Sequence, residues 1–435
     1  MISIEIFRTD PARIISSLIN RGIDSVLAHV TVQAVIDTDI RIRSRQTNLQ
    51  ALKSIINAKS KFIGSLIKGG ISKDSEEVTS LMSESSDLSY KLAHFNDTIP
   101  VLDSPEYLNL LMLKIPNLCD SVAPKGCGSE DNEVVLIYGV TPEFSFKPKA
   151  HWDIGTDLNI IDFDRTTKMS GEGFVSLRGI GARLSRALIS WFLDIHTANG
   201  YTELAVPYLV NSKTMTGTGQ LPKFADQLYK CESAGLYLIP TAEVPVTNFH
   251  SGEILKDTEL PILYTAHTPC FRSEAGAAGI GTRGMTRVHQ FDKVELVCLC
   301  KPEDSSAYLL KLCDQVEVLL DLLGLHYRLL HLCTSDLGFS SSDTYDYEVW
   351  SPGTSTWLEV SSVSNFKDFQ ARRASLKYRP SINEKPEYLH TLNGSALALP
   401  RCIIAILETY QQEDGSVIIP KVLRPYMGGL ERISK

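Results

Sequence analysis

A chain of 435 residues with 43% hydrophobic and 22% charged residues has the composition of a globular protein of about two or three domains. Its net charge of −8 argues against a protein that coats nucleic acid unspecifically, while leaving room for a local basic patch. There is no apolar run of about 18 residues, the N-terminus MISIEIFRTDPAR is charged too early for a signal peptide, and the nine dispersed cysteines form no CxxC pair, so we expect no membrane span, no disulfide framework and no structural zinc.

Ile2 to Phe7 alternate like a short strand. Asp10 followed by Pro11 predicts a helix start, because aspartate caps and proline fits the first helical position; Gly22 ends it. Positions 35, 38, 42, 45, 49, 52, 56, 59, 63 and 66 are spaced alternately by three and four. Seven of these ten are apolar: Val35, Ile42, Leu49, Leu52, Ile56, Ile63 and Leu66. Gly69 and Gly70 break this helix, and a second series runs through Val78, Leu81, Ser85, Leu88, Leu92, Phe95 and Ile99. Two heptad runs around a turn predict an antiparallel helical hairpin with a first arm about 50 Å long. From Arg41 to Lys68 there are seven Lys or Arg and no acid; from Asp74 to Asp97 there are six acids and one Lys. That asymmetry suits attraction between the arms, and it also suits a basic ridge that follows an RNA backbone.

Composition shifts near residue 105, so we expect an N-terminal domain over 1–105 and a second over 106–435. The tract 119–132 is rich in Gly, Pro and Ser, and Val134 to Tyr138 predicts a strand. Phe144, Phe146 and the segment His151 to Gly155 open the second domain. Ala182 to Gly200 predicts an amphipathic helix and Tyr201 to Pro207 a strand. Gly217 to Phe224 is a glycine-bearing turn without P-loop spacing. Tyr237 to Glu243 predicts a strand ending in a turn that exposes the Thr241 hydroxyl and the Glu243 carboxylate.

Tyr264 to Phe271 and Val288 to Leu299 predict two paired strands. Between them Gly276, Gly279, Gly281 and Gly284 are too frequent for a helix or a regular strand. Charge gathers at the strand ends, with Arg272 and Glu274 on one and Arg287, Asp292, Lys293 and Glu295 on the other. A guanidinium on a strand suits bidentate capture of a phosphate or carboxylate, and a carboxylate on the paired strand suits an ammonium group. Together they can hold a zwitterion beside a nucleotide. Thr391 to Arg401 predicts a strand and then a helix, which continues apolar from Cys402 to Gln411.

The string Thr268 to Leu296, TPCFRSEAGAAGIGTRGMTRVHQFDKVEL, resembles motif 2 of class II aminoacyl-tRNA synthetases, in particular the bacterial type of seryl-tRNA synthetase. Ala182 to Pro207 resembles motif 1, Thr391 to Gln411 motif 3, and Thr241-Ala242-Glu243 the serine-recognition tripeptide. Residues 35–99 resemble the tRNA-binding arm of that family. Ala396 stands where the family usually has glycine, and Pro400 where it has a small residue. The resemblance implies an α+β protein: an antiparallel class II catalytic sheet flanked by helices, with an N-terminal coiled-coil hairpin. It implies L-serine, ATP as substrate with Mg2+, tRNA(Ser) held by its long variable arm and acceptor end, and tRNA(Sec) as a second candidate acceptor. It also implies a cytoplasmic homodimer.

By matching position, Arg272 and Arg401 are the implied catalytic residues. Thr241, Ala242, Glu243, Glu295, Asn393 and Ser395 form the implied serine site. Arg272, Ser273, Glu274, Arg287, Val288, Phe291, Glu359, Val360, Ser361, Ser362 and Arg401 form the ATP site, with Phe291 stacked on adenine and Glu359 and Ser362 on magnesium. Two rival readings stand beside this one. A paralogue that loads an amino acid onto a carrier protein would lack the long hairpin. A non-catalytic RNA-binding descendant would have lost the charged ligands.

Overall fold

The computed structural model describes residues 1–98, 100–274 and 283–435, without the side chains of 96 and 97. Ile99, Gly276, Gly279 and Gly281 therefore lie outside the described residues. The chain divides into two compact units, one of residues 3–19 and 23–115, the other of residues 1–2, 20–22 and 116–435.

The first unit is helical. Its chain begins with α1 (Ile4–Thr9) and α2 (Pro11–Asn20), followed by α3 (Ser25–Lys68), α4 (Glu76–Asp97) and α5 (Pro105–Leu113). The strand expected at Ile2 to Phe7 is instead helix α1: the Ser3 hydroxyl accepts from the Glu5 amide and buries Phe7 on the inner face. A run this short fits either period, and the cap decides it. Asp24 caps α3 by accepting from the Leu27 amide at 3.0 Å, and 44 helical residues extend about 66 Å. Ser75 caps α4, which carries Glu76 and Glu77 in its first turn, where the helix dipole favours acids. Positions 49, 52, 56, 63 and 66 of α3, and 78, 81, 85, 88, 92 and 95 of α4, are shielded, while most of their neighbours are exposed. The heptad seam is therefore the face along which the arms pack. Two seam positions on α3 hold cations with partners on the other arm: Lys59 pairs with Glu84, and the Arg45 guanidinium lies 4.2 Å from the Phe95 ring centre. At the root of α3, buried Asp39 accepts from Arg8 at 2.6 and 2.9 Å, and that partnership holds its carboxyl below the usual range.

The second unit is built on a sheet of eight strands: β1 (Glu133–Tyr138), β2 (Thr202–Glu203), β3 (Ile262–Phe271), β4 (Gln290–Cys300), β5 (Tyr327–His331), β6 (Asp343–Ser351), β7 (Thr356–Lys367) and β8 (His390–Ala398). Their order across the sheet is β1-β5-β6-β7-β8-β4-β3-β2. All neighbours are antiparallel except β2, which runs parallel to β3. β2 is shorter than the strand expected from Tyr201 to Pro207. The other elements that matter here are α6 (His151–Asp157), α7 (Ile180–Ala198), α8 (Glu243–Thr247), α9 (Ser305–Leu323), α10 (Phe369–Ala374) and α11 (Leu399–Thr409).

Helices α7, α9 and α11 cover one face of the sheet. Leu184, Phe192, Leu312, Leu319 and Ile404 pack there on Leu296, Cys298, Cys300 and Val363. On the opposite face, Val297 and Leu299 meet Ala242, Val246, Ala371 and Leu389. This explains why the end of β4 reads VCLC instead of alternating: both of its faces are buried.

Candidate active site

Strand parity decides which side chains meet. On β4, Phe291, Lys293 and Glu295 share a face with Val297, and opposite them on β3 stand Cys270, Thr268 and Ala266. On the other side Glu295 faces Ser395 of β8, and Val297 faces Asn393. β7 then brings Ser364 opposite Asn393, and β6 brings Asp346 opposite Ser362. A bulge at Val360 shifts the β6–β7 register, so odd-numbered Glu359 joins even-numbered Ser362 on one wall. The result is a cleft of about 880 Å³, lined among others by Thr241, Glu243, Arg272, Glu274, Arg287, Lys293, Asp346, Glu359, Ser362, Asn393 and Ser395.

Its floor is a buried polar network. The Thr241 hydroxyl donates to Glu295 Oε2 at 3.1 Å and Asn393 Nδ2 donates to Glu295 Oε1 at 2.8 Å. Lys293 Nζ pairs with Glu295 and donates to the Ser395 hydroxyl at 3.0 Å. Thr241 also accepts from the Glu243 amide at 3.2 Å, which opens α8. The hydroxyl and carboxylate expected to be exposed at this turn are 5% and 7% exposed, because they close the floor of the cleft. Burial, and after it the Glu295 charge, push the Glu243 carboxyl up to about 7, against the pull of Gln370, Lys293 and Arg272. Gln370 Nε2 donates to Glu243 Oε1 at 2.6 Å, and its Oε1 accepts from Thr391.

Arg272 extends β3 with its guanidinium 5.2 Å from the Phe291 ring centre and donates to the Pro240 carbonyl. Glu274 sits in the left-handed region at φ 47°, with its carboxylate 3.6 Å from Arg287. Arg401, near the start of α11, donates to the carbonyls of Thr286 and Glu359 at 3.3 and 2.7 Å. Phe291 and Arg401 are not among the residues that line the cleft, and Phe291 lines a separate hollow with Met285 and Pro400. The remaining candidate residues do not point into the cleft either. Ala242 and Val360 are buried in the two sheet cores, Val288 is buried, the Ser361 hydroxyl is buried beneath the strand, and the Ser273 hydroxyl donates to the Asp226 carbonyl.

Sequence reasoning assigned no role to Lys293, Asp346 or Gln370. Lys293 was findable, because it alternates with Glu295 on one strand face. Asp346 needed the β6–β7 register. Its Oδ1 is buried with no partner among the described residues, and burial followed by the Glu359 charge raises its carboxyl well above the usual range. An orphaned carboxylate oxygen beside Glu359 and Ser362 is the donor set that a hard divalent cation takes.

A broad antiparallel sheet, with a strand pair ending in Arg272 and Arg287 and a helix presenting Arg401, is the core of a class II aminoacyl-tRNA synthetase. A family model described as the tRNA synthetase class II core domain (G, H, P, S and T) matches residues 229–410, and one described as the seryl-tRNA synthetase N-terminal domain matches residues 1–119. The chain is 49% identical over 400 residues to the serine--tRNA ligase of Trichlorobacter lovleyi, covering 92% of this chain and 93% of the relative. It is 48% identical over 406 residues to that of Syntrophotalea carbinolica, covering 93% and 94%. Among solved structures, the seryl-tRNA synthetase of Pyrococcus horikoshii complexed with ATP superposes with a TM-score of 0.89 at 34% identity, covering 100% of this chain and 99% of that one. The chain belongs to the seryl-tRNA synthetase family.

Proposed function

We propose that this chain is an ATP-dependent serine--tRNA ligase that forms seryl-adenylate and then transfers serine to the 3′ end of tRNA(Ser). The observation that carries this reading is the cleft floor. Two buried carboxylates, Glu243 and Glu295, lie beside hydroxyl and amide groups, with Arg272 at the rim. Serine fits that set. Its ammonium goes to the carboxylates and Thr241, its hydroxyl to the Asn393 and Ser395 side, and its carboxylate to Arg272.

In the first step the serine carboxylate attacks the α-phosphorus of ATP and pyrophosphate leaves. No protein nucleophile takes part. Catalysis consists of positioning and charge neutralisation. Arg272 bridges the serine carboxylate and the α-phosphate. Glu274 orients the adenine, Phe291 stacks on it, and Arg287 and Arg401 take the β- and γ-phosphates. Glu359, Ser362 and Asp346 would hold Mg2+, which supplies further neutralisation of phosphate charge. A floor built for hydrogen bonds rejects alanine, because its buried polar groups would be left unpaired, a discrimination of up to roughly 10⁴–10⁵.

In this reading residues 1–105 bind tRNA(Ser) at its long variable arm, through the basic face of α3, and residues 106–435 carry the chemistry. The protein works as a homodimer, with the exposed apolar edge of β1, including Val135 and Ile137, available for a second copy. We place the protein in the cytoplasm, a reducing compartment in which nine cysteines outside any disulfide are ordinary. Serine-dependent ATP–pyrophosphate exchange without tRNA tests the proposal, with alanine, threonine and glycine as controls. Exchange with serine alone is expected. Exchange with another amino acid overturns the serine site, and none with any overturns the enzyme.

A further inference from the structure

Behind the cleft lies a second buried network that the proposed chemistry does not use. His151 opens α6 and is 1% exposed; Glu408 lies near the end of α11 and is fully buried. Glu408 Oε1 accepts from the His151 amide at 2.9 Å and contacts His151 Nδ1 at 2.9 Å. Its Oε2 accepts from the Gly353 amide at 3.0 Å and from the Ser351 hydroxyl. Four donors thus satisfy one buried carboxylate.

The other ring nitrogen faces the chain just before Arg287. The Met285 amide donates to His151 Nε2 at 3.0 Å. Nε2 is therefore the unprotonated nitrogen, and Nδ1 carries the hydrogen that goes to Glu408. Gly284 has φ +77°, and a Cβ built on it would stand 2.1 Å from His151 Nε2, so the backbone can approach the imidazole only as glycine. The next residue in the turn, Thr286, gives its carbonyl to Arg401 Nε at 3.3 Å. Residues 285 and 286 are thus held twice by α11, once directly through Arg401 and once through His151 from Glu408. Arg287 follows immediately, and its guanidinium reaches Glu274 across the strand pair at 3.6 Å.

We propose that His151, locked by Glu408, is a positioning residue for ATP: by fixing the Met285 amide it aligns the Arg287 and Arg401 guanidiniums on the polyphosphate. The proposal rests on the ligase reading above. It predicts a selective defect, because the serine floor is built from other segments, at Thr241, Glu295 and Asn393.

The test compares His151→Gln with His151→Asn in serine-dependent exchange. Glutamine is long enough to offer an acceptor where Nε2 stands, whereas asparagine ends at the level of Nδ1. His151→Asn is expected to raise the KM for ATP by about tenfold, the effect of losing one buried hydrogen bond, with the KM for serine changed less than about twofold. His151→Gln should recover most of that loss. Gly284→Ala, which drives a methyl against Nε2, should reproduce the ATP-selective defect and decides the matter if His151→Asn fails to melt cooperatively. Equal behaviour of the Gln and Asn variants, or parallel rises in both KM values, overturns the proposal on an active wild type. A wild type without exchange removes the ligase reading and this proposal with it.

Discussion

Arg401 closes onto Glu359: its Nη1 donates to the Glu359 carbonyl at 2.7 Å and lies 3.6 Å from the carboxylate. The two side chains are 24% and 48% exposed, so as an ion pair they contribute under about 1 kcal/mol to stability. Their closeness matters for what they face. Arg401→Ala is expected to lower the rate of serine-dependent exchange by about 10²–10³, the usual effect of removing one aimed charge from a transition state, while the melting temperature stays within a few degrees. Arg401→Lys should recover little of it, because an ammonium cannot reproduce the planar fork. Near-normal exchange in the alanine variant would remove Arg401 from the phosphate site.

Glu243 predicts a pH dependence with a definite sign. Its carboxyl is pushed up to about 7 by burial first and Glu295 second, against about 4.5 in an unfolded chain. Between those values the unfolded chain loses a proton that the folded one keeps, so stability falls as pH rises from 4.5 and levels off above 7. The contribution is about 3 kcal/mol, fully present below pH 4.5 and lost as pH rises through the folded value. Glu243→Gln should flatten this part of the profile. Denaturant titrations of the two proteins from pH 4.5 to 8 check it, and identical slopes would sink the assignment.

Lys293 and Glu295 form a buried pair whose members depend on each other. Removing the lysine leaves a carboxylate in the floor with Thr241 and Asn393 as its remaining partners among the described residues, so Lys293→Met should cost roughly 3–5 kcal/mol. Replacing both at once, Lys293→Met with Glu295→Leu, should restore much of the stability, since a well-packed apolar pair is often no worse than a buried ionic one. The double variant should nevertheless show no serine-dependent exchange. Chemical denaturation and exchange read on the same samples separate the two effects. A double variant less stable than Lys293→Met alone would mean that the pair is there for the fold.

The hairpin was legible because its signal is local: the 3-4 spacing along α3 and α4 names the residues that are shielded in the structure. The strand pair β3–β4 was legible for the same reason, and Arg272 and Glu295 follow from it. Asp346 and Glu408 were not, since their meaning depends on partners far along the chain, Ser362 in one case and His151 in the other. The bulge at Val360, which turns Glu359 into the cleft, has no signature in the string EVSS. The start of the chain misled through brevity: Ile2 to Phe7 fit a period of two until Ser3 capped a helix.

The basic face of α3 gives the last prediction. Lys53, Lys61 and Lys68 are exposed and carry no ion pair among the described residues, whereas Arg41 is engaged with Asp103, Arg43 with Asp39, Arg45 with Phe95 and Lys59 with Glu84. Those three lysines are the cations best placed to meet phosphates. Replacing residues 41–97 by a short glycine–serine linker should leave serine-dependent exchange within about twofold of wild type, since none of those residues lines the cleft. Charging of tRNA(Ser) should fall by more than about 10², because a phosphate-reading surface is lost. A finer version reverses Lys53 and Lys61 together. Each phosphate contact removed should lower the slope of log affinity against log salt by about 1. Both the deletion and the reversal separate the arm from the chemistry: charging that survives the deletion, or an unchanged salt slope, would show that α3 is not the RNA surface.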